Sequence, residues 1–221
     1  MSLALFDLDE TLIHGDCATL WAEYMVAQGW VTDKESFLAT EADLMRQYAA
    51  GSMDMRDYMA LTLLPLKGMT EAEVAAKVDH FVHEIILPIV YPDAKATIAK
   101  HQQQQDRLVV ISASGAHLVK PIAIALGIHE CLAIDIDVND GCFTGGITGI
   151  PTFREGKVTR LLALINQDED QLKSASFYSD SRNDLPLLKL VGHPFVINPD
   201  PLLKQVAEEN HWPILTWLPT H

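Results

Sequence analysis

Asp7 and Asp9 stand two residues apart in Leu5-Phe6-Asp7-Leu8-Asp9-Glu10-Thr11-Leu12, directly after the apolar run that begins at Leu3. Side chains alternate along an extended chain, so the two carboxylates share a face. They fall at the carboxyl end of a buried strand, where open α/β sheets carry their sites. Like charges held that close call for a cation or a shared proton. A pair of this kind can supply a carboxylate nucleophile and a proton donor for phosphoryl transfer.

Three later segments supply what such a pair needs. Val109-Val110-Ile111-Ser112-Ala113-Ser114-Gly115 is a second apolar strand ending in small and hydroxyl residues. There backbone N–H groups and a following helix N-terminus can hold a phosphate. Gly156-Lys157 opens a helical stretch with one isolated cation, at an end where the helix dipole disfavours positive charge, so Lys157 reads as functional. Phe177-Tyr178-Ser179-Asp180-Ser181-Arg182-Asn183-Asp184 ends a third strand in another acidic loop. Asp180 and Asp184 also suit a turn and a helix cap, and Asp184 can serve as both cap and ligand-shell residue.

The chain of 221 residues can bury one core, or a core plus an insertion. Sixteen Lys and Arg against thirty Asp and Glu leave a formal charge of −14, which argues against nucleic acid or an anionic membrane as partner. A small phosphorylated metabolite remains possible, because a bound cation and Lys157 reverse the field locally. Cys17, Cys131 and Cys142 form no C-x-x-C pair and read as reduced thiols. The N-terminal residues enter a core strand with no basic or apolar leader pattern, and no run is long enough to span a bilayer. The expected localisation is cytoplasmic. Oligomeric state is not legible.

Strand-helix alternation positions these residues. Helices are expected at Thr19–Gln28, Glu35–Ala50, Met53–Leu64 and Glu71–Ile86, with capping boxes at Thr32-Asp33-Lys34-Glu35 and Thr70-Glu71-Ala72-Glu73. Alternation then resumes as helix Ala94–Gln105, strand Leu108–Ser112, helix Leu118–Leu126, strand Cys131–Asp137, helix Lys157–Ile165, and strands Ala175–Ser179 and Pro194–Ile197. That pattern means a parallel sheet with helices on both faces. Asp140-Gly141-Cys142-Phe143-Thr144-Gly145-Gly146 reads as a hairpin turn between short strands.

Asp7-x-Asp9-x-Thr11, Ser112, Lys157 and Asp180-x-x-x-Asp184 resemble, in order, the four motifs of the haloacid dehalogenase-like phosphohydrolases, particularly the subfamily containing phosphoserine phosphatase. The resemblance implies a Rossmann-like α/β core (residues 1–14 and 87–221) with a helical cap (15–86) inserted after the first strand. It also implies Asp7 as nucleophile, Asp9 as acid and base, and Mg²⁺ held by Asp7, the Asp9 carbonyl and Asp180, with Asp184 in support. Ser112, Ala113 and Lys157 would hold the phosphoryl oxygens, and Thr11 would support the loop.

Phosphoserine phosphatases meet the substrate amine with an acid at the position of Asp16 and the carboxylate with a cap arginine, where this chain has Thr62. Arg56 and Arg46 are the nearby alternatives. An amine contact without a carboxylate contact favours an amino-alcohol phosphate. The loops around Asp7–Asp16 and Tyr178–Leu187 resemble the bacterial branch that includes histidinol-phosphate phosphatases. Asp16, His14, Trp21 and Glu23 are the expected substrate contacts, with Arg56 as the fallback for a carboxylate. The alternative within the class is a phosphoserine phosphatase or a broad small-metabolite and sugar phosphatase, and two readings from other classes stand beside it: a receiver-like phospho-accepting domain, and an inactive scaffold of the same fold.

Overall fold

The computed structural model describes residues 2–219. Its strands are β1 (Leu3–Phe6), β2 (Arg107–Gly115), β3 (Glu130–Ile134), β4 (Ile136–Asn139), β5 (Cys142–Ile147), β6 (Ser176–Ser179), β7 (His193–Ile197) and β8 (Ile214–Leu215). Six of them form one sheet in the order β3-β2-β1-β6-β7-β8, with every pairing parallel. A parallel sheet is covered on both faces, and all four residues of β1 are accordingly buried. Leu3 and Leu5 pack with Val109, Ile111, Phe177 and Val196 in one core layer, while Ala4 and Phe6 join Val110, Tyr178 and Ile197 in the other. Because β2 and β6 flank β1, the loops leaving these three strands meet at one edge of the sheet.

The helices are α1 (Cys17–Ala27), α2 (Lys34–Ala50), α3 (Met55–Leu63), α4 (Glu71–Phe81), α5 (Pro92–Gln103), α6 (Ala116–Ala125), α7 (Glu155–Leu164), α8 (Leu185–Leu188) and α9 (Pro201–Glu209). Four of them, α1 to α4, lie between β1 and α5. The chain leaves and re-enters the core side by side: His14 N donates to Ile89 O (2.8 Å) and Tyr91 N to Leu12 O (3.1 Å). Further along, Gly68 N donates to Phe143 O (2.8 Å) and Phe143 N to Met69 O (2.9 Å), which ties the helical segment to β5.

Several boundaries depart from the sequence reading, each for a local reason. The Thr32 capping box does not form, because Asp33 Oδ1 takes the Ser36 N–H at 3.1 Å and α2 starts one residue earlier. The Thr70 box does form, with Glu73 N donating to Thr70 Oγ1 (3.2 Å) and Thr70 N to Glu73 Oε2 (2.8 Å). Asp54 caps α3 and moves its start from Met53 to Met55. The helix expected to reach Ile86 ends at Phe81 and continues as a π turn (Val82–Ile86) and a 3₁₀ turn (Leu87–Ile89), where Pro88 offers no N–H. Gly51 closes α2 at φ 77°, a left-handed conformation suited to glycine.

The expected strand Cys131–Asp137 is split. β3 stops at Ile134, and β4 leaves the sheet to pair antiparallel with β5. The turn runs through Asp140 (φ 50°) and Gly141 (φ 75°), the signs a two-residue hairpin needs. Ile136-Asp137-Val138-Asn139 alternates apolar and polar, which suits a strand with one wet face better than a sheet covered on both. α8, α9 and β8 occupy sequence that carries no assignment above.

Gly156 precedes Lys157 at the start of α7, and a Cβ there would sit 2.0 Å from Pro151 O. Gly156→Ala must therefore displace either the helix start or the 150–153 loop. The expected outcome is a destabilisation of about 1–3 kcal/mol together with lost activity, since Lys157 moves with the helix. Thermal unfolding beside an activity assay checks this, and a variant matching the wild type in both contradicts it.

Candidate active site

The loop after β1 is held by its own backbone. Asp7 N donates to Tyr178 O of β6 (2.9 Å), and Leu12 N folds back to Leu8 O (2.8 Å). Glu10 adopts φ 54° to make the turn, a conformation a non-glycine residue adopts at a cost.

Lys157, only 2% exposed, reaches the same point from α7. Its ammonium lies 2.8 Å from Asp7 Oδ1, 2.7 Å from Asp184 Oδ1 and 2.8 Å from Asp184 Oδ2. Ser179, at the end of β6, donates to Asp184 Oδ2 at 2.8 Å. Asp9 turns toward β2 and α1, accepting from Cys17 N (2.6 Å), Ser114 Oγ (2.9 Å) and Ser112 Oγ (3.4 Å). Ser112 Oγ also accepts from Ser114 N at 3.0 Å, which shapes the irregular end of β2 that carries the Ala113 N–H. Thr11 Oγ1 donates to Asp180 Oδ1 at 3.0 Å and links the first acidic loop to the last.

Burial dominates the electrostatics. Asp7 is pushed up to about 6 because desolvation outweighs the pull of Lys157. Asp9 rises to about 7, first through burial and then through the charges of Asp16 and Asp7. Asp180 stands well above the usual carboxylate range through burial, Asp7 and Asp184. Burial would lower the pKa of Lys157, but Asp184 and Asp7 overcome it, so the ammonium stays charged. Asp7 is thus poised to ionise beside a cation while Asp9 retains a proton near neutrality.

These groups open on a cleft of about 220 Å³. One wall carries Asp7, Asp9, Asp16 and Asp180, with Ala113, Ser114 and Ser181. The opposite wall is Met45, Tyr48, Met53, Met55 and Tyr58, from α2, α3 and the turn between them. No Lys or Arg belongs to the lining formed by the described residues.

The expected substrate contacts divide. Asp16 lines the cleft, but its Oδ1 also caps α1, accepting from Ala18 N (3.0 Å) and Thr19 N (2.8 Å), and so starts that helix before the expected Thr19. Trp21 is not brought to the cleft: it is 1% exposed, stacked on Tyr24 and edge-on to Phe81 in the core. His14 is exposed and bonded to the Tyr91 hydroxyl (3.1 Å). Glu23 and Arg56 are exposed on their helices away from the lining, and Arg46 is spent on Asp43 at 2.8 Å. Thr62 is buried and donates to Tyr58 O, one turn back along its own helix.

Ser114, Ser179 and the Met and Tyr wall escaped the sequence reading. Ser114 lies two residues after Ser112, a spacing that could have marked it, and three methionines within eleven residues hinted at an adaptable apolar surface. Arg154, at φ 52°, was also missed. It bonds Gly51 O and, at 3.1 Å, Asn183 Oδ1, and so joins the α2–α3 turn to the loop of Asp184.

Among the described residues no three His, Cys, Asp or Glu side chains form a ready cage for a metal. The donor set nevertheless fits a hard cation that keeps several waters. Lys157 bonds Asp7 and Asp184, whereas Asp9 and Asp180 accept from hydroxyls and a backbone N–H and keep oxygens for a cation.

A parallel sheet whose first strand ends in two acids, served by a lysine and a second acidic loop, is the architecture of one hydrolase class. The chain belongs to the haloacid dehalogenase-like hydrolases, whose family model matches residues 4–189. It is a phosphoric monoester hydrolase of that family. It is 34% identical to a histidinol-phosphatase of Neisseria meningitidis serogroup C (strain 8013), over 98% of this chain and 99% of the relative. A phosphoserine phosphatase of Mycobacterium tuberculosis (strain H37Rv) is 30% identical over 96% of this chain and 69% of its own length. Among solved structures, a Bordetella pertussis Tohama I protein of unknown function superposes with a TM-score of 0.88 at 33% identity, covering 97% of both chains. Among the described residues no helix is long and apolar enough to cross a membrane.

The raised carboxyls predict how stability depends on pH. Asp7 and Asp9 bind protons more tightly folded than unfolded, so their contribution is complete below 3.8 and is lost as pH climbs through about 6 and about 7. With EDTA present, Tm should fall across this window, and less steeply in Asp9→Asn. An equal slope in the two proteins would show that Asp9 is not the group being ionised.

Proposed function

We propose that this protein is a Mg²⁺-dependent phosphatase acting through an aspartyl-phosphate on a small amino-alcohol phosphate, most specifically histidinol phosphate. The observation that carries the reading is Lys157 bonded to Asp7, with Asp9 buried beside it and raised to about 7, next to a cleft whose described lining holds no Lys or Arg. An Asp7 oxygen attacks phosphorus in line, and the bond from phosphorus to the alkoxide breaks. Asp9 delivers its proton to the departing alkoxide, then accepts one from the water that cleaves the aspartyl-phosphate and restores Asp7. Lys157, Ser112 and the Ala113 N–H stabilise charge on the equatorial oxygens. Asp7, Asp180 and the Asp9 carbonyl would hold Mg²⁺, with Asp184 in support, and the ion would neutralise phosphate charge when bound.

Substrate class follows from charge. Asp16 and its acidic neighbours suit an ammonium group, and the absence of a cation from the described lining leaves a carboxylate without a partner. The full-length similarity to a histidinol-phosphatase agrees with that chemistry. Helices α1 to α4 act as the cap, residues 15–86, that keeps water from the aspartyl-phosphate.

Phosphate release from histidinol phosphate, phosphoserine and sugar phosphates, with and without Mg²⁺, tests the reading. The expected outcome is a metal-dependent preference for histidinol phosphate that Asp7→Asn abolishes without changing the circular dichroism. A preference for phosphoserine would overturn the substrate assignment, and turnover by folded Asp7→Asn would overturn the mechanism. Lys157→Ala is expected to lower kcat by about 10²-fold or more, as the loss of one preorganised charge should. A rate within a few-fold of wild type would remove Lys157 from the chemistry.

A further inference from the structure

Helix α2 ends beside the cleft wall without a cation in its own last turn. The other hydrogen bonds that Gly51 and Ser52 make among the described residues return to Gln47 and Tyr48 of the same helix. The carbonyl end of a helix attracts positive charge. Arg154, in the loop before α7, supplies it by donating from Nη2 to Gly51 O.

The guanidinium makes three contacts at once. Besides holding Gly51 O, it donates from Nε to Asn183 Oδ1 at 3.1 Å and lies 4.8 Å from the centre of the Phe153 ring. Phe153 packs in turn on Tyr48 of the cleft wall, with ring centres 5.7 Å apart. A planar fork serves all three directions, whereas a lysine ammonium is a point charge. The two ends it joins are not equally firm. Asn183 is 5% exposed and donates from its backbone N to Ser181 Oγ at 3.2 Å, and the neighbouring Asp184 is fixed by Lys157 and Ser179. The turn after α2 is therefore the part held, and the loop of Asp184 is the anchor. Arg154 adopts φ 52° in doing so, a costly conformation of the kind that a functional contact sustains.

We propose that Arg154 is a positioning residue for substrate: it latches the α2–α3 turn to the loop of Asp184 and so fixes the Met45, Tyr48 and Met53 part of the wall where the substrate beyond its phosphate must pack. The inference rests on the reading of the cleft as a phosphatase site and is independent of which monoester the site takes. A wall set at the wrong height weakens the ground state and the transition state alike, which raises KM and leaves kcat unchanged. The bonds of Lys157 to Asp7 and Asp184, and of Ser179 to Asp184, do not pass through the Arg154 side chain.

Arg154→Lys keeps the charge and loses the fork, and Arg154→Gly loses the side chain while suiting φ 52°. Both are compared with the wild type, with Mg²⁺ present, on whichever of histidinol phosphate, phosphoserine and the sugar phosphates it turns over best. Inorganic phosphate, which has no part to reach the wall, serves as the competing inhibitor. The expected result is a KM about tenfold higher in both variants, the scale of one lost charge-assisted hydrogen bond, with kcat and the inhibition constant of phosphate within about twofold. In the free proteins, amide hydrogen exchange is expected to quicken about tenfold across residues 45–54 and to stay level in α7 and β6. A fall in kcat or in phosphate affinity with unchanged exchange at 45–54 makes Arg154 a prop for the start of α7 and overturns the inference. Wild-type behaviour of Arg154→Lys overturns it as well. A wild-type preference for a monoester other than histidinol phosphate sinks the substrate reading alone, and the latch then stands or falls on the same comparisons made with that monoester.

Discussion

One ammonium, Lys157 Nζ, held between the carboxylates of Asp7 and Asp184 and almost shut off from water, is the contact on which the arrangement of the site depends. It joins three elements distant in sequence: the loop after β1, the first turn of α7 and the loop after β6. Removing two or three charges from water is favourable only when geometry and hydrogen bonding repay the desolvation. Both conditions are met. Ser179 adds a bond to Asp184, and Gly156 lets α7 begin against Pro151 so that the lysine arrives at the right height. The parallel register of β1 with β2 and β6 brings the anchoring loops to one edge.

A single ammonium does not balance the carboxylates gathered around it. Asp9 and Asp180 are bonded to hydroxyls and a backbone N–H instead, and burial raises both. The same low-dielectric setting raises Asp9 further than Asp7, which Lys157 pulls back toward ionisation. The two acids begin as a symmetric pair in the sequence and are made unlike by their neighbours, one facing a cation and the other facing serines.

Chemistry and selectivity sit on different parts of the fold. The acids, serines and lysine belong to strand ends and a helix start of the sheet, whereas the apolar wall facing them comes from α2, α3 and their turn. Backbone hydrogen bonds from residues 68 and 69 to β5, and the bonds of Arg154 to Gly51 and Asn183, hold that wall over the acids. Changes on α3 can therefore reshape the apolar wall without touching the acids and serines that face it.

The amino-acid sequence by itself determined the strand ends and what they carry. An apolar run followed by Asp-x-Asp, a strand ending in Ser112, and Asp180-x-x-x-Asp184 are local patterns, and strand periodicity alone puts their side chains on one side. The Thr70 box was legible for the same reason, and so was a hairpin within Asp140–Gly146, although the turn is only Asp140-Gly141 and Cys142–Gly146 belongs to β5. Only the tertiary structure decided which helical residues face the cleft. Trp21, Glu23 and Arg56 lie near Asp16 and Tyr58 along the chain, yet one is core and two are solvent-facing, while Met45, Tyr48 and Tyr58 form the wall. Hydrophobic burial is non-directional: a helix pattern says that a face will be covered, and only the packing of α2 and α3 with α1 and β5 says by what.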